Sequence, residues 1–471
     1  MGITNYLQQI MTYFRNMALN AAGAERDLLQ YIQDKDITSA ISLMQDKDAE
    51  VDNALNEYNP QTHDVMKRPN KYRRGDDPYI TEKLPRTRQR YINEVELFFL
   101  LGNPIVWKKE DGDDEAYKLF LDFLRKQRFD ATMRKAKRLA GAETQSAKLY
   151  HVYRDEKTNA MMVRTVVLAR QTGYKLRPMF DQYGNLRAFA YGYTLTERGK
   201  NVEHWDIQTP DFLFFCKRAT LGWDVQTYEN PTKKINLIYY HQPKAWDGAE
   251  PRIRREEMLD SKAADTNNYF ADPIATATAD VIQSMTSPEA VGKLIQLTSP
   301  NSQFGYVNPP QNSEARKAEK QDLNDSILFD TMTPDFSFEK IKGMGTLSGD
   351  AIKNAMILGY IKRDNRKEVY EELVDREKSL VLSILSYLYP NMAQKLASLV
   401  ISFEFAEPFA SDKQKSWTSI AQLYQSGVLS LESAVEMLAL TDAPEEEVER
   451  LKSAQLLATA KKEREAEPVV G

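Results

Sequence analysis

The longest helical period in the chain runs from Asp350 to Tyr389, and it limits every fold the remainder can adopt. Ile352, Met356, Val369, Leu373, Val374, Leu380, Val381, Ile384, Leu385 and Leu388 recur at three- and four-residue spacing. That spacing makes one apolar face of a helix. At 1.5 Å per residue the helix is roughly 60 Å long. A rod of that length crosses a whole domain, so other elements must pack along it. Only the charged run Lys362-Arg-Asp-Asn-Arg-Lys-Glu368 interrupts the pattern, and a kink or break is expected there. Ser348 is in position to cap the helix and Asp350 puts a negative charge in its first turn; both favour initiation.

The segments before this rod are unusually polar. Ile253 to Asp272 reads as a helix, but its apolar stripe (Leu259, Ala263, Thr266, Phe270) is thin. A helix this polar bridges water or packs against other copies of itself. Asp272-Pro273 ends it, because the residue before proline avoids the α region. A compact insert over 274–312 carries a helical Pro288-Glu-Ala-Val-Gly-Lys-Leu and a strand-like Phe304-Gly-Tyr-Val. Ser313 to Phe329 is helical again and heavily charged. Then comes Ser337-Phe-Glu-Lys-Ile-Lys-Gly-Met-Gly-Thr-Leu-Ser-Gly349, read as a loop. Its glycines supply backbone freedom, and Lys340 and Lys342 set two positive charges beside it.

The N-terminal half changes period. Residues 1–58 read as polar helices, Lys83 to Leu101 as a helix with an apolar second half, and Tyr117 to Leu139 as two basic helical stretches. From Lys148 to Tyr240 the period becomes two. Strands are expected at Leu149–Arg154, Met162–Leu168, Leu186–Tyr193, Val202–Ile207, Phe212–Lys217 and Ile235–Tyr240, with a turn at Asp181–Asn185. No crossover helix fits between most of them, so an antiparallel meander is expected. Leu399–Phe405 is strand-like, and Ser411 to Ala460 returns to helix, with Ser430 and Thr441 as caps. The whole is an α+β chain of several domains.

Composition narrows the function. With 471 residues, 42% hydrophobic and 28% charged, the chain can bury a substantial core. A net charge of −5 gives no bulk attraction to nucleic acid, so any such contact is local. One cysteine, Cys216, excludes an intrachain disulfide framework. No apolar run reaches membrane-spanning length. The first residues are too polar for a signal peptide.

Catalytic constellations are missing. His63, His151, His204 and His241 lack metal-ligand spacing, and Gly343-Met-Gly-Thr-Leu-Ser-Gly349 lacks the Gly-Lys-Ser/Thr of a nucleotide loop. Cys216, in an aromatic strand, reads as an inert core thiol. Asp111-Gly-Asp-Asp-Glu115 reads as a solvated turn; the alternative is a magnesium site formed by Asp111, Asp113 and Asp114 in an enzyme acting on nucleic acid. The basic stretches Lys67–Arg90 and Arg125–Arg138 suit phosphates, a solvated face or an acidic neighbour. Lys340 and Lys342 suit a moving phosphate backbone, which carries charge but no sequence information.

The order of segments resembles the portal protein of tailed double-stranded DNA bacteriophages, in the branch typical of long-tailed siphoviruses. The resemblance is carried by Met-Lys-Arg-Pro-Asn-Lys after Val65 with the helix ending Leu-Gly-Asn-Pro104, by Asn268-Tyr-Phe-Ala-Asp-Pro273, and by Leu347-Ser-Gly-Asp-Ala-Ile-Lys-Asn-Ala-Met356. It implies a ring, usually dodecameric, at one capsid vertex of the virion, assembled in the host cytoplasm. Double-stranded DNA would pass through non-specifically, with no cofactor, no metal and no catalysis. Residues 1–252 would be the wing, 253–273 and 313–334 the stem helices, and 349–410 the long wing helix with a return strand. Residues 274–312 would be the clip, where Lys293, Gln303, Phe304 and Tyr306 meet the terminase motor and later the head-tail adaptor. Residues 335–348 would be the tunnel loop, with Lys340, Lys342, Gly343, Met344 and Gly345 toward DNA, and 411–471 the crown. Major capsid or scaffolding protein would be a further partner. The remaining alternative is another capsid-vertex or adaptor component that does not close a ring.

Overall fold

The computed structural model describes residues 27–72, 78–155, 157–271, 275–277, 304–306, 313–344, 349–409, 413–438 and 445–454. They divide into two compact units: 1–337 with 356–406, and 338–355 with 407–471. The expected helices before residue 27, the cap Thr441 and the tail after 454 lie outside the described residues.

In the first unit, α1 (Leu28–Gln33), α2 (Ile37–Ser42) and α3 (Asp48–Tyr58) come first, followed by the short pair β1 (Lys71–Tyr72) and β2 (Pro78–Tyr79). Next are α4 (Arg88–Leu101), β3 (Ile105–Asp111), α5 (Asp114–Lys126) and α6 (Phe129–Glu143). The last two are separated by Arg128, whose φ of 51° breaks the helical path. Then follow β4 (Gln145–Arg154), β5 (Met161–Leu168), β6 (Lys175–Phe180), β7 (Leu186–Glu197), β8 (Lys200–Gln208), β9 (Phe212–Arg218), β10 (Trp223–Glu229) and β11 (Leu237–His241).

The strands are antiparallel, as their period and short turns imply, but they form two sheets. β6 to β10 are a five-stranded meander, while β11, β4 and β5 make a separate three-stranded sheet. β6 and β10 were not anticipated: Pro178 interrupts one, and the other is mostly solvent-facing. Asp181 closes the predicted turn by accepting from the Tyr183 and Asn185 amides. α1 and α2 cover the meander through Leu28, Ile32 and Ile37 against Trp205, Phe214 and Trp223. Cys216 is buried there, and desolvation pushes its thiol up to about 12.

The hairpin α7 (Glu250–Ala271) and α8 (Ser313–Asp330) flanks the short pair β12 (Ala275–Ala277) and β13 (Phe304–Tyr306). After the second-unit helices α9 (Phe338–Met344) and α10 (Gly349–Ala355) comes the rod α11 (Ile357–Leu388), then α12 (Ala393–Ala397) and β14 (Val400–Phe405), paired with β3. Asp111 thus stands at the end of a two-stranded ribbon. The second unit also holds α13 (Lys413–Gln425) and α14 (Leu431–Leu438), whose cap Ser430 accepts from the Ser433 amide.

The rod corrects the sequence expectation twice. It starts after a break at Met356, Ser348 lying outside the described residues, and it runs unbroken through 362–368. Val369, expected inside, is exposed, whereas Lys362 and Arg363 are buried. The reason is Glu96 on α4, fully buried and contacted by Lys137, by Lys362 at 3.2 Å and by Arg366 at 3.1 Å. Burial alone would push its carboxyl up; the three cations outweigh that and hold it well below the usual range. Burial also pulls Lys362 down to about 8. Eleven residues after Arg366, about three turns along the same face, Glu377 is equally buried and pairs with Lys148 at 2.6 Å. Beyond it the face turns apolar with Leu380, Val381, Ile384 and Leu385, packed on α5 and α6.

Glu96→Gln is expected to destabilise the protein by roughly 3–5 kcal/mol at pH 7, because three cations lose their partner in a desolvated site. The folded-state pKa is depressed, so this stability is complete above the ordinary value of 4.5 and drains as the pH falls below it. Urea titrations of both proteins should therefore converge toward acid pH; a constant difference would contradict the assignment. Gly359→Ala is expected to cost about 1–3 kcal/mol by the same measurement. The added methyl would overlap the Phe99 ring, and overpacking outweighs a helix-propensity gain of about 1 kcal/mol.

Candidate functional site

The hairpin in the first unit owes its position to side chains, not to an apolar face. Arg252 pairs with Asp330, and Lys320 with Asp260 at 2.8 Å, so α7 and α8 run antiparallel. Arg255 adds a pair with Glu319 at 2.6 Å. Only the root is greasy, where Ile253 and Ile327 join Ile92, Trp246 and Ala249.

An extended strap over 81–87 lies along α7. This is a further correction, since the sequence predicts a continuous helix over Lys83 to Leu101. The amides of Glu82, Leu84 and Arg86 donate to Asp265 (2.7 Å), Ser261 (2.9 Å) and Glu257 (2.8 Å). Two residues of extended chain advance about 6.6 Å and four residues of helix about 6 Å, so the two periods match. Pro85 was the available signal: the residue before it, Leu84, is biased to extended backbone.

The strap's flanks add charge. Arg68 binds Asp265 at 2.6 Å. Arg86 pairs with Asp260. Arg88 grips Glu256 with two donors at 2.8 and 3.0 Å and also donates to Asn324 on α8, holding both helices at once. The basic segment Lys67–Arg90 therefore meets an acidic neighbour within its own chain. In Arg125–Arg138, Lys137 and Arg138 are likewise paired, with Glu96 and Glu94.

His63 is a structural clasp. Its Nδ1 lies 2.6 Å from Glu257 and its Nε2 2.6 Å from the Glu57 carbonyl. Burial would lower its pKa, but the bond and charge of Glu257 outweigh that and raise it. No group of three or more metal-ligating side chains occurs among the described residues. In the acidic run, Asp113 caps α5 through the Ala116 amide and pairs with Lys395 at 3.0 Å. Asp114 is held by Lys109 and Glu115 by Lys395. Of the three carboxylates of the magnesium alternative, Asp113 and Asp114 are engaged in a cap and ion pairs, and Asp111 accepts from the Gly112 amide.

In the second unit, residues read as loop are helical at both ends: α9 carries Lys340, Lys342, Gly343 and Met344, and α10 starts at Gly349. Seven residues close a helix here despite Gly343. Both lysines are exposed, as are Phe338 (81%) and Ile341 (50%). Two helical steps put Lys340 and Lys342 about 200° apart, so they do not share a face. Gly345 lies outside the described residues.

Of the insert's named residues, Phe304 and Tyr306 sit on β13, in register with Ala277 and Ala275. Lys293 and Gln303 lie outside the described residues. No helix among the described residues is long and apolar enough to cross a membrane.

Comparison with known proteins follows from this architecture. No curated protein matches the chain. Two solved structures are similar at low identity. One is titled as the neck of a native GTA particle computed with C12 symmetry, at 12% identity over 75% of this chain and 91% of that chain, with a TM-score of 0.40. The other is the virion of a native gene transfer agent particle, at 10% identity over 75% and 89%, with a TM-score of 0.39. Likeness at that level carries no argument. The model of a family described as phage portal protein, SPP1 Gp6-like, matches residues 37–456. That span takes in the strap, the hairpin, the rod and most of the second unit, and on it this chain belongs to the SPP1 Gp6-like family of phage portal proteins and is a portal protein of the virion.

Proposed function

We propose that copies of this chain close into a ring at one capsid vertex and that double-stranded DNA passes through the ring during packaging and ejection. The observation that carries this reading is the family match over residues 37–456. In the proposal, 253–273 and 313–334 are the stem, 274–312 is the clip that receives the terminase motor and then the head-tail adaptor, and 411–471 is the crown. Lys293, Gln303, Phe304 and Tyr306 belong to the clip contact, and capsid or scaffolding protein meets the wing over 1–252. The family is a structural one, and the chain acts as a conduit without chemistry of its own.

Physical support comes from the hairpin. The strap consumes one face of α7, and the hairpin carries ionic side chains of both signs elsewhere, Arg252 and Arg255 on α7 and Glu319 and Lys320 on α8. A mixed-charge surface lets a polyanion slide, whereas a uniformly basic one would hold it. Lys340 and Lys342, beside exposed Phe338 and Ile341, are the positive exceptions, and the proposal puts Gly343, Met344 and Gly345 toward DNA with them. Because α9 sets the lysines on opposite sides, one of them faces the duplex and the other a neighbouring copy.

The double variant K340Q/K342Q is expected to form normal rings yet package or retain several-fold less DNA, measured as nuclease-protected DNA per particle. Each single variant then separates the two roles: one carries the DNA defect, the other does not. Full packaging by the double variant would overturn the DNA contact.

A further inference from the structure

A cavity of about 300 Å³ in the first unit is lined by Leu186, Pro210, Lys233, Lys234, Ile235, Ile238, Arg376, Ser379 and Leu380. It lies where the β8–β9 turn and the loop before β11 meet the middle of the rod. Three cations and no carboxylate line it, in a chain whose net charge is −5. Its floor is apolar: Ile235, Ile238 and Leu380 are buried, as is Leu186.

The cations are poorly answered by the protein itself. Among the described residues Lys234 donates only to neutral oxygens, the Ser379 carbonyl at 3.1 Å and hydroxyl at 2.6 Å. Desolvation lowers its pKa with no carboxylate to offset it. Arg376, on the exposed rim, has no hydrogen bond or ion pair among the described residues. Desolvation lowers its pKa too, offset in part by the charge of Glu372 one turn away. Lys233 has a φ of 53°, a left-handed conformation unfavourable for a residue with a side chain, and its nearest acid is Asp211 at 3.9 Å. Three cations gathered around one cavity repel one another, and a bound anion relieves that repulsion.

We propose that this cavity is a docking site for an acidic side chain of a partner protein, its carboxylate held by Arg376 and Lys234 and its aliphatic stem seated on the Leu186, Ile235 and Leu380 floor. The apolar floor favours a peptide over DNA, because it matches methylenes rather than sugar and phosphate. Arg376 can grip a carboxylate with two parallel donors, which adds direction to the charge. The site is remote in sequence from both the hairpin insert and the lysines of α9, so it is independent of the DNA contact proposed above.

The test is calorimetric titration of the full-length protein with a blocked pentapeptide of alternating glutamate and leucine. Wild type should bind it, and Arg376→Gln should weaken binding at least about tenfold, the scale of losing one charge-assisted contact. Arg376→Lys should fall between, and Lys126→Gln, outside the cavity, should match wild type. Thermal melts confirm that each variant is folded. The corresponding lysine-leucine peptide should not bind. Absence of glutamate-peptide binding, or equal binding by Arg376→Gln, would overturn the site. Binding of a short DNA duplex in place of the peptide, lost in Arg376→Gln, would overturn the protein-partner assignment.

Discussion

The long helix is located by charge before it is located by apolar packing. Glu96, buried on α4, draws Lys137 from α6 and Lys362 and Arg366 from α11 to one carboxylate. Three turns along the rod, Glu377 meets Lys148 and the Tyr150 and Tyr240 hydroxyls from the three-stranded sheet. Between these anchors Tyr370 reaches Gln242, which itself donates to Glu96. Ionic contacts have stricter geometry than apolar ones, so the two anchors set both rotation and register of the rod. An apolar stripe alone would tolerate sliding. The break at Met356, at the N-terminal end of α11, inherits that register.

The same device recurs in the hairpin. α7 is too polar to be held by burial, and a strap with helix-matched spacing holds it instead. Asp265, Ser261 and Glu257 capture alternate amides, while Arg68, Arg86 and Arg88 neutralise the carboxylates. A helix fixed along one face leaves its other faces free to be polar. That freedom suits the proposed stem role, in which the hairpin would meet water and neighbouring copies at once.

Much of this was legible in the sequence where a period repeats. The helices of the hairpin, the rod and most meander strands follow from spacing, and the portal family from the order of segments. What failed was charge at long range. Lys362-Arg-Asp-Asn-Arg-Lys-Glu368 looked like an interruption because nothing local announces a partner 266 residues earlier, at Glu96. The strap looked helical for the same reason, although Pro85 hinted otherwise. Lys340 and Lys342 were read as neighbours in a loop; local helix formation by α9 turns them apart. Single-sequence reading sees propensity and period, and buried ion pairs obey neither.

The portal reading requires that the chain close on itself, and negative-stain electron microscopy of the purified full-length protein, with native mass measurement of the same sample, asks this directly. The account predicts closed rings with a central hole and one dominant subunit number. A monomer that persists across salt and protein concentration would contradict it.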